Sequence, residues 1–172
     1  MNLFDMNSDA ITVNIDGKDI EMKPAICYGK EYDKWLVSKC GKVWNVKKNK
    51  LLKGYRVYVH NKKGKRLDNI KYTITVNEAD WWGDGSGRVH HEGYSWQRNI
   101  KSHKMIMDTW APLYDNPPEG VVWEEWKIVR DLPTVFDHIK KTVVIDHIDD
   151  DPTNNHIDNL RRVTSWDNQP TR

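Results

Sequence analysis

The stretch Thr142-Val-Val-Ile-Asp146-His147-Ile-Asp149-Asp150-Asp151-Pro-Thr-Asn154-Asn155-His156-Ile-Asp-Asn159-Leu160-Arg161-Arg162-Val163-Thr164-Ser-Trp-Asp167-Asn168 decides how this chain is read. Val143, Val144 and Ile145 are adjacent β-branched residues, as in a well-buried strand, and an Asp-His pair closes the run. Asp149 to Asn155 hold a proline and two asparagines among acids, a turn-rich composition. Leu160 to Val163 suit a second, antiparallel strand. Thr164 followed by Asp167 is spaced as a capping box, with Asp in place of the usual Glu or Gln, so Asn168 falls in the first turns of a short helix. Two strands and a helix in this order let Asp146 and Asn168 meet around one divalent metal, with His147 beside it. Oxygen ligands suit a hard cation, and a neutral imidazole suits the deprotonation of water.

Residues 141–169 resemble the HNH endonucleases, in particular the phage and intron-encoded homing enzymes, whose pattern runs Asp-His, Asn-Asn-x-x-x-Asn-Leu-Arg-x-Val-Thr and a final Asn. The resemblance implies a ββα-metal motif in which Asp146 and Asn168 are metal ligands, His147 is the general base and Asn159 ties the loop together. It also implies Mg²⁺ or Mn²⁺ as cofactor and double-stranded DNA as partner. His147 would take a proton from the water that attacks the scissile phosphate, with its other ring nitrogen donating to a backbone carbonyl. One such site cuts one strand: a monomer would nick, and a double-strand break needs two sites. Tyr32 to Trp44, then Leu51 to Tyr55, is similar to the small module ahead of many HNH homing enzymes. Ser102-His103-Lys-Met-Ile-Met-Asp-Thr-Trp110 is similar to the helix that links that module to the motif. Residues 111–141 depart from the family in length and in their Trp and acid content, and carry no assigned role. With no helix-turn-helix after the motif, sequence-specific DNA reading falls to the N-terminal half, or is absent.

Charge distribution agrees with a phosphate-binding face. The net charge is +2, yet residues 30–71 hold fourteen Lys or Arg against three acids, a local balance of +11 that leaves −9 elsewhere. Within the basic module 28–76 the candidate DNA contacts are Lys47, Lys48, Lys62, Lys63, Lys65 and Arg66. Arg161 and Arg162 join them, since alternation on a strand turns one toward DNA and the other toward solvent. A solvated lysine-rich surface is the plain alternative. Asp149, Asp150 and Asp151 read as solvated turn acids rather than a calcium loop, which would need a Gly and a distal Glu at set places.

The remaining sequence sets the fold class. Ile11, Val13 and Ile15 alternate up to Asp16-Gly17, with Ile20 and Met22 beyond, which predicts a hairpin with a primed turn. Residues 34–38 and 42–46 predict a strand pair around Gly41. Tyr55–Val59 and Tyr72–Val76 predict strands flanking a basic loop. Trp81 to His91 is glycine-rich without the ending of a phosphate loop, and its two adjacent histidines make a poor metal pair. Ser102 is placed to cap a helix running to about Trp110, with His103 packed or hydrogen-bonded in the core. Trp123, Trp126 and Val129 suit one helical face, although 121–123 equally suit a strand.

The expectation is an α+β chain: a mainly β half over 1–99 with a DNA-binding role, then 100–172 with a linker helix, an acidic Trp-rich segment and the ββα-metal motif. At 172 residues this fits one compact domain or a module plus a catalytic unit. Two cysteines are too few for a disulfide scaffold or a cysteine zinc site. No apolar run reaches the ~18 residues of a membrane span, and the start lacks a basic, then apolar, leader, so a cytoplasmic protein is expected, in the bacterial host if phage-encoded. Two other readings stay open: an inactive DNA-binding protein on the same scaffold, and a phage structural protein, hinted at by segment 111–137. Target sequence and oligomeric state are open.

Overall fold

A computed structural model describes residues 9–27, 29–60, 66–77, 95–165 and 167–168. Ten strands, three α-helices and a 3₁₀ turn are defined among them, so the chain is α+β. The strands are β1 (Ile11–Ile15), β2 (Lys18–Cys27), β3 (Lys30–Ser38), β4 (Val43–Asn45), β5 (Lys50–Leu51), β6 (Tyr55–His60), β7 (Arg66–Asn77), β8 (Ser95–Lys101), β9 (Val143–His147) and β10 (Leu160–Thr164). The helices are α1 (Ser102–Trp110), α2 (Trp123–Arg130) and α3 (Pro133–Thr142). Among the described residues no helix is long and apolar enough to cross a membrane.

β1 to β5 form an antiparallel sheet in sequence order, β6-β7-β8 a second, and β9-β10 a two-stranded hairpin. The first turn forms as its sequence predicts: Asp16 and Gly17 both take positive φ, 54° and 78°, and close β1 on β2 with Ile15 opposite Lys18. The register between β2 and β3 shifts at Pro24/Ala25, where a residue without an N–H interrupts the ladder. Along β3 the side chains alternate between two clusters. Trp35 and Val37 join the main core, whereas Leu36 joins Ile15 and Met22 on the other face.

α1 organises the main core. Met105, Ile106 and Met107 are buried with Ala25, Cys27, Val37, Val43, Tyr72, Ile100 and Leu160, so one cluster takes residues from both sheets, the helix and the terminal hairpin. Three hydrogen bonds bolt these layers together: Thr109 Oγ1 accepts from Ile26 N at 2.9 Å, Trp110 Nε1 donates to Val37 O at 3.0 Å, and Tyr72 Oη donates to Gly41 O at 2.8 Å. The 99/100 break falls inside β8, which ends where α1 begins. Ser102 does not cap α1. Lys101 is its N-cap, without a side-chain bond, and Ser102 is a buried first-turn residue.

The segment without an assigned role contains α2 and α3. Residues 121–123 enter a helix rather than a strand: Trp126 is fully buried, donates through Nε1 to Tyr114 O at 3.0 Å, and packs on Phe136 of α3 with ring centres 5.9 Å apart. The basic loop 61–65, the glycine-rich stretch with His90 and His91, and Pro170 lie outside the described residues.

Candidate active site

The terminal hairpin pairs Asp146 with Arg161, His147 with Leu160 and Ile145 with Arg162. Opposite residues share a face and neighbours alternate. One face, with His147, Leu160 and Arg162, meets α1; the other carries Asp146 and Arg161. Arg162, expected among the DNA contacts or at solvent, is buried instead. Its guanidinium donates to Ala111 O and, at 3.2 Å, to Met107 O, and lies 3.6 Å from Asp108 Oδ1. Carbonyls at a helix C-terminus attract a cation, and a planar fork can take two of them. Burial pulls the Arg162 pKa below its ordinary value, with Asp108 opposing.

His147 ends β9 and is 9% exposed. Its ring stands edge-on to His103 of α1, centres 5.2 Å apart at 84°. Burial, then the charges of His147, Lys101 and Lys104, pull the His103 pKa down to about 3, so this neighbour is uncharged at neutral pH. Nε2 of His147 lies 3.1 Å from Oδ1 of Asn155. The expected backbone carbonyl is therefore replaced by a side-chain amide: the hairpin loop folds back and inserts Asn155, itself 6% exposed, beside the ring.

Asp146 accepts through Oδ2 from Nε and Nη2 of Arg161, each at 2.9 Å, and Arg161 Nη1 reaches Glu119 Oε2 at 2.9 Å. These partners raise the Arg161 pKa, the hydrogen bond to Asp146 most. Arg161 is thus engaged within the chain rather than unpaired. Among the described residues Oδ1 of Asp146 accepts no hydrogen bond. Asn168 is exposed, one turn past β10, with its N–H on Thr164 O at 3.2 Å. Thr164 and Asp167 close the turn reciprocally: Asp167 N donates to Thr164 Oγ1 at 3.3 Å and the hydroxyl donates to the Asp167 carboxylate. No three His, Cys, Asp or Glu side chains cluster among the described residues. A carboxylate oxygen, as on Asp146, and an amide oxygen, as on Asn168, are donor types that a magnesium-like ion takes in small number.

The loop between the strands is tied internally. Asn159 donates to Asp149 Oδ1 at 2.8 Å and Asn154 O at 2.9 Å, and accepts from Asp149 N at 3.1 Å. Asp149 also accepts from Asn154 Nδ2 at 2.7 Å and Asp151 N at 2.9 Å, and Asp151 takes Thr153 N and Oγ1 at 2.9 and 2.7 Å. Asp149 and Asp151 are therefore loop ties rather than merely solvated, whereas the exposed Asp150 bonds, among the described residues, only through its backbone N–H, to His147 O. These bonds hold both carboxyls below the ordinary aspartate range, Asn154 acting most on Asp149 and Thr153 on Asp151. Ile157 N donates to Lys39 O at 2.8 Å, fastening the loop to the β3–β4 turn.

Of the other candidate DNA contacts, Lys47 and Lys48 are exposed on the β4–β5 turn. Lys62, Lys63 and Lys65 lie outside the described residues, and Arg66 is described only as backbone in β7. The sequence reading missed Asn155 as a partner of His147, although the Asn-Asn of the family pattern covers it.

Residues 138–169 match the family model described as HNH endonuclease. A solved structure of DNA binding and cleavage by the HNH homing endonuclease I-HmuI is similar at 20% identity and a TM-score of 0.43, over 87% of this chain and 55% of that one. The chain thus spans about half the length of that relative. Comparison with the curated proteins gives no match.

Proposed function

We propose that this chain is an HNH DNA endonuclease of the homing type that hydrolyses phosphodiester bonds with one divalent metal per site. The observation that supports this best is the HNH segment itself, with Asp146 and His147 consecutive at the end of β9 and His147 gripped by Asn155. In this reading His147 accepts the proton of the attacking water, and the buried ring contact with His103 keeps it in one orientation. Asp146, steered by Arg161, and Asn168 would hold a Mg²⁺ or Mn²⁺ ion. When bound, that ion supplies charge relief at the phosphoryl oxygens. Asn159 keeps the loop closed so that Asp146 and His147 hold their places. The basic module 28–76, with exposed Lys47 and Lys48, supplies sequence-independent affinity for the backbone of double-stranded DNA. In cells the enzyme would act in the cytoplasm of a bacterial host, as expected of a phage-borne gene.

The test is incubation with supercoiled plasmid and Mg²⁺, beside an EDTA control and an Asp146→Ala variant. Relaxed circles absent from both controls are expected. Salt-sensitive binding without cleavage, across plasmids bearing varied sequence, would instead mark a DNA-binding protein without activity.

A further inference from the structure

We infer that Asn155 is a positioning residue for His147, presetting the ring with its proton on Nε2 and its lone pair on Nδ1. This rests on His147 being the base of the proposed reaction. The inference comes from a chain of bonds whose direction is fixed at its far end. Thr153 O can only accept, and Asn155 Nδ2 donates to it at 3.1 Å. The amide therefore turns its oxygen toward the ring, where Oδ1 lies 3.1 Å from Nε2. An amide oxygen can only accept, so Nε2 must carry the hydrogen. Nδ1 of the neutral ring is then the nitrogen able to take a proton.

The fold holds Asn155 on its other side as well. Gly41, at φ +83°, sits in the β3–β4 turn, and a Cβ there would come within 3.5 Å of Asn155 Cβ, 3.3 Å of Ser102 Oγ and 3.1 Å of Ile106 Cδ1. The turn thus runs close beside Asn155 where the first sheet, α1 and the motif loop meet, and the Ile157–Lys39 bond at 2.8 Å closes the same junction. A buried amide bonded at both ends, to Thr153 O and to the ring, costs little further ordering when substrate binds. The basic module therefore supports the proposed base through packing, apart from any contact with DNA.

The test uses the full ¹⁵N-labelled chain, free of metal and DNA, at a pH well above the ordinary imidazole pKa of about 6.5. Multiple-bond ¹H–¹⁵N correlation of the His147 ring is expected to show Nε2 protonated and Nδ1 bare, with an Hε2 proton protected enough from exchange to be seen directly. Asn155→Ala is expected to lose that Hε2 signal while the amides of Val37, Ile106 and Leu160 stay in place. A protonated Nδ1 in the parent protein overturns the inference whether or not any variant folds. So does an Hε2 signal that survives in Asn155→Ala. On plasmid, Asn155→Ala should lower kcat by about 10–100-fold, the usual loss for removing an orienting partner, with the KM for DNA unchanged. A KM effect alone overturns the positioning role. A protected Hε2 in a parent protein that cuts nothing would uphold the anchor and sink the nuclease reading, so the two failures are distinguishable.

Discussion

Truncating Arg162 to alanine should destabilise this protein rather than weaken its grip on DNA. The side chain is buried and spans from β10 to the end of α1, where it holds Met107 O, Ala111 O and Asp108. Hydrogen bonds to a charged group are worth about 1.5–3 kcal/mol each, and breaking a buried ionic contact costs about 3–5 kcal/mol. Two features place the loss at the lower end. Met107 O keeps the Ala111 N–H at 3.1 Å, and Asp108 keeps Lys104 at 3.2 Å, so neither is stranded. Ala111 O loses the guanidinium, and the aliphatic stem leaves a void. The expected destabilisation is about 3 kcal/mol, roughly 6–12 °C in Tm for a chain of this size. Urea unfolding should show a lower midpoint with an unchanged slope. DNA affinity per folded molecule, at fixed salt, should be unaltered. A loss under about 1 kcal/mol together with weakened DNA binding would refute this placement of Arg162.

Gly41→Ala should cost about 1–2 kcal/mol, since the backbone there is left-handed and the added methyl meets Ile106; thermal unfolding by circular dichroism reads it. Asp149 and Asp151 have depressed folded pKa values, so their contribution is complete above the unfolded value and is lost as pH falls through the folded one. Stability measured by urea should therefore drop as pH falls below about 4, and less steeply in the double variant Asp149→Asn, Asp151→Asn. Asp146→Ala and Asn168→Ala should each abolish Mn²⁺ binding followed by electron paramagnetic resonance. They should change stability by no more than about 1 kcal/mol, because the ion pair that Asp146 makes is partly exposed and Arg161 keeps Glu119.

The parts of this fold that were legible in the sequence are those whose signals are local. Alternation in Ile11–Ile15 together with Asp16-Gly17 specifies a hairpin on its own, because the primed turn needs two positive φ values. Thr164 and Asp167 likewise announce their reciprocal bonds through spacing alone. What was not legible depends on distant partners. Alternation along β10 says that Arg161 and Arg162 face opposite ways. It does not say that the C-terminus of α1 waits beneath one of them. α3 carries Val135, Phe136 and Ile139 at helical spacing, but the aromatic partners Tyr114 and Trp126 that Phe136 meets lie outside it and are not marked by that spacing. Asp149 and Asp151 looked like ordinary turn acids because their donors are loop amides and a hydroxyl, residues equally common where nothing is tied. The Asn155 contact with His147 was hidden for a related reason: a loop residue eight positions away becomes a ring partner only after the loop folds back against the Gly41 turn.

The most direct test of the central claim is the single-turnover nicking rate of His147→Ala beside the parent protein, on supercoiled plasmid with saturating Mg²⁺. Loss of a general base should slow cleavage by about 10²–10⁴-fold while salt-dependent DNA binding is retained. Cleavage by the folded variant at the parent rate would contradict the assignment of His147 as the base.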